Sequence, residues 1–255
     1  MTALVKTSLK EGVQLIGINR PEKKNCVNHQ TALELVAAFE QFERNHQAKI
    51  AVLYGEGGTF CAGYDLSEVS KGNFKVDDDF LPKYRYMGPT AMKLKKPLIA
   101  AVEGHAVAGG LEMSLLADMR VAGTSSTFGV FCRRVGVPLI DGGTVRLPRV
   151  VGTGRALDMI LTGRAVSAQE ALQWGLVNRV VEDGQALPYA IKLAKEIISH
   201  PYGCMLADRE SAYHSLDHTF EEAMLKELES LSVLPDAIKQ AQKFVEKKIP
   251  PPSKL

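Results

Sequence analysis

Short apolar runs alternate with helix-period stretches along most of this chain, and that alternation constrains its fold more than any single residue does. Residues 13–19 (VQLIGIN), 50–54 (IAVLY), 98–102 (LIAAV), 119–122 (MRVA) and 177–181 read as strands, being β-rich and bounded by turn residues. Helical spacing is read over 29–44, where Leu33, Val36, Ala37 and Phe39–Glu40 recur, and over 83–95, 110–117, 144–150, 153–162 and 167–174. Between them, 70–82 carries Gly72 and the acidic run Asp77-Asp78-Asp79 and is expected to be a mobile loop. From about 186 the chain is expected to be helical to about 248, broken near Pro201 and Pro235. The fold class is therefore α/β with largely parallel pairing, and the final helical stretch forms a layer of its own. The expected division is a core over 1–195 and a helical region over 196–255.

With 255 residues and 45% apolar content, the chain can build a large core without a metal or disulfide. A net charge of +2 is too small for a broad nucleic-acid footprint, so no nucleic-acid partner is expected. Cys26, Cys61, Cys132 and Cys204 are scattered and form no C-x-x-C pair, which reads as four reduced thiols and no metal site. No apolar run of about 18 residues is present, so no membrane span is expected. The N-terminal residues have neither a signal nor a transit pattern. Ser253-Lys254-Leu255 matches a peroxisomal import address and follows Pro250-Pro251-Pro252. An import receptor is thus an expected partner, with a peroxisomal location for a eukaryotic source and a cytoplasmic one for a bacterial source.

Two glycine-bearing segments carry the chemistry. Phe60-Cys61-Ala62-Gly63-Tyr64-Asp65-Leu66 follows a strand and precedes a helix that Asp65 can cap. Gly63 allows a turn that points N–H groups outward. Gly104-His105-Ala106-Val107-Ala108-Gly109-Gly110-Leu111-Glu112 also follows a strand and opens a helix. Its unpaired N–H groups and positive dipole end suit a developing oxyanion. The G-x-G-x-x-G dinucleotide fingerprint is absent. Glu112, three residues past Gly109, falls on the same helical face amid Leu111, Met113, Leu115 and Leu116. A carboxylate so placed is a general acid or base. His105 reads as structural.

In this order and about 45 residues apart, the two segments resemble the crotonase (enoyl-CoA hydratase/isomerase) family. Further matches are Pro21 to Asn25, Ala117-Asp118, Phe128-Gly129, Gly142-Gly143-Thr144, Arg146-Leu147, Leu161-Thr162-Gly163 and Ala171 to Val177. The resemblance implies a crotonase-like spiral of β-β-α turns with a C-terminal helical layer that makes a homotrimer or a dimer of trimers. It implies oxyanion donors at the N–H groups of Tyr64 and Gly109. Coenzyme A, entering as part of the substrate and not as a separate cofactor, would pass Lys24, Cys26, Ala62, Gly63, Asp65 and Leu66. Phe244 and Lys247 would touch the acyl-CoA of a neighbouring subunit.

One part of the family pattern is missing. Hydratases of the family use two glutamates; Glu112 matches the first, and the second falls on Cys132, a thiol ionised little at neutral pH. Some relatives place an acid eight residues further on, which here is Ile140, beside Asp141. Asp141 reads either as the replacement carboxylate or as an N-cap for the helix near Gly142–Thr144. Arg133 or Arg134 either pairs with Glu112 or Asp141 or stays at the surface. Cys132 as nucleophile lacks an identifiable base. The expected activity is addition of water to a 2-enoyl-CoA through an enolate. The alternatives are a single-base enoyl-CoA isomerase and a weakly catalytic acyl-CoA-binding protein.

Overall fold

The computed structural model describes residues 3–72 and 79–246. The chain divides into two compact units, 1–192 and 193–255. The strands are β1 (Val5–Lys10), β2 (Val13–Ile18), β3 (Ile50–Gly55), β4 (Leu98–Val102), β5 (His105–Val107), β6 (Met119–Gly123), β7 (Thr127–Gly129), β8 (Val166–Ser167) and β9 (Arg179–Val181). The α-helices are α1 (His29–Arg44), α2 (Leu66–Ser70), α3 (Phe80–Lys83), α4 (Gly109–Ser114), α5 (Gly143–Val151) and α6 (Thr153–Thr162). They continue as α7 (Ala168–Gln173), α8 (Ala186–Ser199), α9 (Tyr202–His214), α10 (Phe220–Leu228) and α11 (Leu234–Val245).

Two sheets share the strands. The larger runs β1-β2-β3-β4-β6-β9 and the smaller β5-β7-β8. From β2 to β9 every neighbour in the larger sheet is parallel, which requires crossovers between successive strands. Those crossovers pass through the smaller sheet: β4 leads to β5 and α4, and β6 leads to β7. The turn after β3 follows the same course, because Cys61 forms an isolated parallel bridge to Ala106 of β5. Successive turns therefore stack in register. Ala51–Tyr54 of β3 pair with Leu98–Ala101 of β4, and Ile99–Val102 pair with Met119–Ala122 of β6. β4 is buried along its whole length, as a central parallel strand must be.

Helix α1 begins where expected because the Asn28 side chain accepts the Thr31 N–H at 3.0 Å. Its inward stripe is Ala32, Leu35, Phe39 and Phe42, recurring at i, i+3 and i+4. Leu33 and Ala37, expected on that stripe, are exposed; each lies about 100° or more around the helix from it.

Other expectations change. No helix spans 83–95: α3 ends at Lys83, and Gly88, with φ 88°, leads into a 3-10 turn at Pro89–Ala91. Gly88 and Pro89 break the helical pattern that flanking residues suggested. β1, β5, β7 and β8 were not read as strands. In the C-terminal unit the helices part near Pro201 and just before Pro235, as expected, and also at 215–219; Pro235 itself sits in the first turn of α11. α10 opens on a capping box between Thr219 and Glu222. Much of the apolar surface of α10 and α11 is exposed, including Phe220, Leu225, Leu228, Ile238 and Phe244. Of the loop expected over 70–82, Ser70 ends α2 and 80–82 belong to α3, while 73–78 lie outside the described residues, as do Lys247 and Ser253-Lys254-Leu255 beyond 246. Among the described residues no helix is long and apolar enough to cross a membrane.

Candidate active site

Stacking of the spiral turns brings the two glycine segments together. Phe60 N–H donates to the Glu103 carbonyl at 2.8 Å, Cys61 N–H to the His105 carbonyl at 2.8 Å, and Val107 N–H to the Cys61 carbonyl at 3.2 Å. These bonds fix 60–61 against β5, so the chain leaves both strands at the same point. There Gly63 has φ 102°, a conformation open to glycine at little cost. A Cβ on Gly63 would lie 3.2 Å from the Gly109 nitrogen, so the two turns are in contact. Gly110 is equally constrained, since a Cβ there would lie 2.0 Å from the Cys61 carbonyl oxygen. Ala108, just before α4, holds φ 53°, which strains a residue with a Cβ.

The N–H groups of Tyr64 and Gly109 are both left without acceptors among the described residues. Val27 N–H donates to the Gly63 carbonyl and Asp65 N–H to the Val27 carbonyl, so this parallel bridge passes Tyr64 and turns its N–H the other way. Gly109 is the first residue of α4, and its N–H has no acceptor within the helix. Among the described residues neither N–H makes a hydrogen bond. A pair of free donors on touching turns, one of them at a helix N-terminus, is suited to an oxygen that gains negative charge.

Glu112 lies on α4 and is 2% exposed. Its Oε1 accepts the N–H groups of Asp141 at 2.9 Å and Gly143 at 2.8 Å. Oε2 makes no hydrogen bond to the described residues. Burial, then the nearby Asp141 charge, push its carboxyl up to about 7, against the two N–H bonds and Arg146. A carboxyl that titrates near neutrality can both take and return a proton.

Asp141 is also buried, and it is no N-cap: α5 starts from Gly142 without a side-chain cap. Its Oδ1 accepts the Met87 N–H at 2.9 Å and the Thr90 hydroxyl at 2.6 Å, while Oδ2 is free among the described residues. Burial raises its carboxyl, opposed by those bonds and by Arg85 and Arg146. Neither Arg133 nor Arg134 pairs with the carboxylates. Arg133 donates to the Ile160 carbonyl, and Arg134 donates to the Gly163 carbonyl and lies over the Phe131 ring. Arg146 brings positive charge to the site, as Arg85 does, and donates to the carbonyls of Thr90 at 2.7 Å and Asp141 at 3.4 Å. Sequence reasoning singled out neither Arg146 nor the 86–90 segment for this role. Arg146 belonged to a matched motif, but Thr90, its shorter bond, lies more than fifty positions away in the chain. Cys132 is buried in a 3-10 turn, and burial and Glu112 raise its thiol, so it stays protonated.

The residues expected along coenzyme A form one patch. Ala62 N–H donates to the Lys24 carbonyl at 3.0 Å, and Arg20 donates to the Cys26 carbonyl and pairs with Asp65 at 3.0 Å. Asp65 caps α2 by accepting from Ser67 N–H at 3.1 Å and Ser67 Oγ at 2.7 Å. Burial opposes its charge, but the bonds from Ser67 and Arg20 hold the carboxyl below its ordinary value. The Asp65 carboxylate is therefore committed to the fold, leaving Leu66, 50% exposed, on the outer side. Phe244 is exposed on α11 in the C-terminal unit.

A family model described as enoyl-CoA hydratase/isomerase matches residues 8–252. The mevalonyl-coenzyme A hydratase sidH of Aspergillus fumigatus is 36% identical over 185 residues, covering 72% of this chain and 68% of that protein. The carnitinyl-CoA dehydratase of Escherichia coli K12 is 33% identical over 244 residues, with 92% of each chain covered. A probable enoyl-CoA hydratase/isomerase from Mycobacterium abscessus superposes with a TM-score of 0.86 at 36% identity, over 97% of both chains. An enoyl-CoA hydratase from Mycobacterium tuberculosis H37Rv gives 0.88 at 33% identity, over 96% of both. The chain belongs to the enoyl-CoA hydratase/isomerase, or crotonase, family, and its two-sheet spiral is the crotonase fold. It is accordingly an enzyme of the lyase or isomerase type.

Proposed function

We propose that the protein adds water reversibly to the double bond of a 2-enoyl-CoA. The observation that carries this reading is the pair of unbonded N–H groups, Tyr64 and Gly109, on touching turns one helical turn from Glu112. The thioester carbonyl accepts from both, so negative charge that appears on its oxygen as the enolate forms is stabilised there. Glu112 takes a proton from water through its free Oε2 as the oxygen adds to the β-carbon. It then returns a proton to the α-carbon as the enolate collapses. Asp141 takes the place of the second acid that Cys132 cannot supply: Oδ1 holds the 87–90 wall, and Oδ2 offers water an acceptor. The 33–36% identity to a named hydratase and a named dehydratase supports this direction of chemistry.

The reaction asks for no cofactor beyond the coenzyme A of the substrate itself. Lys24, Cys26, Ala62 and Leu66 border its path, with Asp65 and Arg20 bracing that patch from inside. The exposed apolar residues of α10 and α11 support assembly of several copies, a trimer or a pair of trimers, through the C-terminal unit. Phe244 would then meet the coenzyme A of a neighbouring copy, with Lys247 beside it in sequence.

Offering purified protein 2-enoyl-CoA and 3-enoyl-CoA separately tests the reaction. Hydration removes the absorbance of the conjugated thioester from the first, whereas isomerisation creates it from the second. Loss with the first substrate is expected. Appearance with the second and no loss with the first would assign a single-base isomerase, and no change with either would leave only binding.

A further inference from the structure

Tyr64 carries an oxygen that the fold leaves without a partner. Its main-chain N–H is half of the carbonyl grip, but its phenol runs beside Tyr86, edge to face, with ring centroids 5.7 Å apart. The hydroxyl oxygen is buried and makes no hydrogen bond. Buried hydroxyls are nearly always satisfied, because leaving one unpaired forfeits its hydration for nothing. Only two other buried side-chain atoms among the described residues share that condition, Glu196 Oε2 and His214 Nδ1, and both are in the C-terminal unit.

Tyr86, which the orphan's ring packs against, borders the candidate site. Tyr86 precedes Met87, whose N–H is held by Asp141 and whose sulfur lies 2.5 Å from where a Cβ on Gly109 would be. Burial raises the phenol to about 12, with Glu68, Tyr86, Asp65 and Asp141 adding to the effect, so it remains a protonated donor. Three carboxylates, Glu68, Asp65 and Asp141, bear on it, which disfavours a carboxylate on the ligand. An uncharged hydroxyl can accept from the phenol without that repulsion. Nothing in the packing of Tyr64 needs the oxygen, since a phenylalanine would present the same ring to Tyr86.

We infer that the Tyr64 hydroxyl recognises a hydroxyl group on the acyl chain, within a few carbons of the thioester, making the protein selective for hydroxylated acyl-CoAs. This rests on the acyl-CoA reading of the site. It is tested by binding instead of turnover, using calorimetric titration with hexanoyl-CoA and its 3-, 4- and 5-hydroxy forms, on wild type and Tyr64→Phe. At least one hydroxylated form is expected to bind wild type about tenfold more tightly than hexanoyl-CoA, and Tyr64→Phe to bring that ratio near one. Equal affinity of wild type for all four thioesters, as when the phenol serves only an ordered water, would overturn the inference. So would a preference that survives in Tyr64→Phe. Should enoyl-CoA hydration be absent while the Tyr64-dependent preference is found, the proposed reaction fails and this inference stands.

Discussion

Replacing Glu112 with glutamine is expected to lower kcat by about a thousandfold, within the range for removal of a general acid–base group. Acyl-CoA affinity should stay within a few-fold. The amide oxygen of glutamine can still accept from Asp141 and Gly143, whose N–H groups lie 2.9 and 2.8 Å from Oε1. The variant therefore removes the proton carrier and leaves the scaffold. In wild type, hydration should rise with pH through about 7, as Glu112 loses its proton and becomes a base. Stability should run the other way. Below the ordinary carboxyl value of 4.5 the group is protonated folded and unfolded, and nothing is lost. Between there and about 7 the unfolded chain ionises it first, so wild type loses stability as pH rises, by about 3 kcal/mol at most. Glutamine escapes that loss. Thermal melts should place Glu112→Gln above wild type at pH 8, with the gap shrinking at pH 5. Full activity in the variant would remove Glu112 from the mechanism.

The second large effect is expected at Gly63. An alanine there meets φ 102° and brings its Cβ to 3.0 Å from Ala108 Cβ and 3.2 Å from the Gly109 nitrogen. The turns must separate, and the two N–H groups no longer converge on one oxygen. Loss of one oxyanion donor costs roughly 10²–10³ in kcat, and a loss of about that size is expected for Gly63→Ala. Circular dichroism and a melting curve establish that the variant folds, and steady-state kinetics reads the loss. A folded Gly63→Ala with wild-type kcat would show that the carbonyl is not held between these turns.

Both effects concern residues that were visible in the sequence, for a physical reason. Gly63, Gly109 and Glu112 sit within short segments where a strand ends and a helix begins, and their roles depend on local backbone geometry. Strands β3 and β4 were likewise legible because a buried parallel strand is a continuous apolar run, and β2 and β6 because they are β-rich and bounded by turn residues. The smaller sheet was not. β5 and β7 have three residues each and β8 has two, too few to show alternation, and their pairing comes from the stacking of spiral turns. The helix expected at 83–95 failed where Gly88 and Pro89 outweighed the flanking pattern. The surroundings of the two carboxylates were not legible for another reason. Arg133 and Arg134 are near Cys132 in sequence, yet the 3-10 turn sends them to the Ile160 and Gly163 carbonyls. Met87 and Thr90 reach Asp141 from a segment more than fifty positions away, and only tertiary contact brings them there. The partnerless Tyr64 oxygen is of the same kind, since an absent hydrogen bond is a property of the folded chain alone.

The central claim is that the N–H groups of Tyr64 and Gly109 together polarise a thioester carbonyl. Difference infrared spectroscopy with an acyl-CoA labelled with carbon-13 at that carbonyl reads the claim at the bond concerned. On binding to wild type, the labelled stretch should move to lower frequency than in water, and in Gly63→Ala most of that shift should be lost. A stretch that stays at its aqueous frequency when the ligand is fully bound would contradict the account.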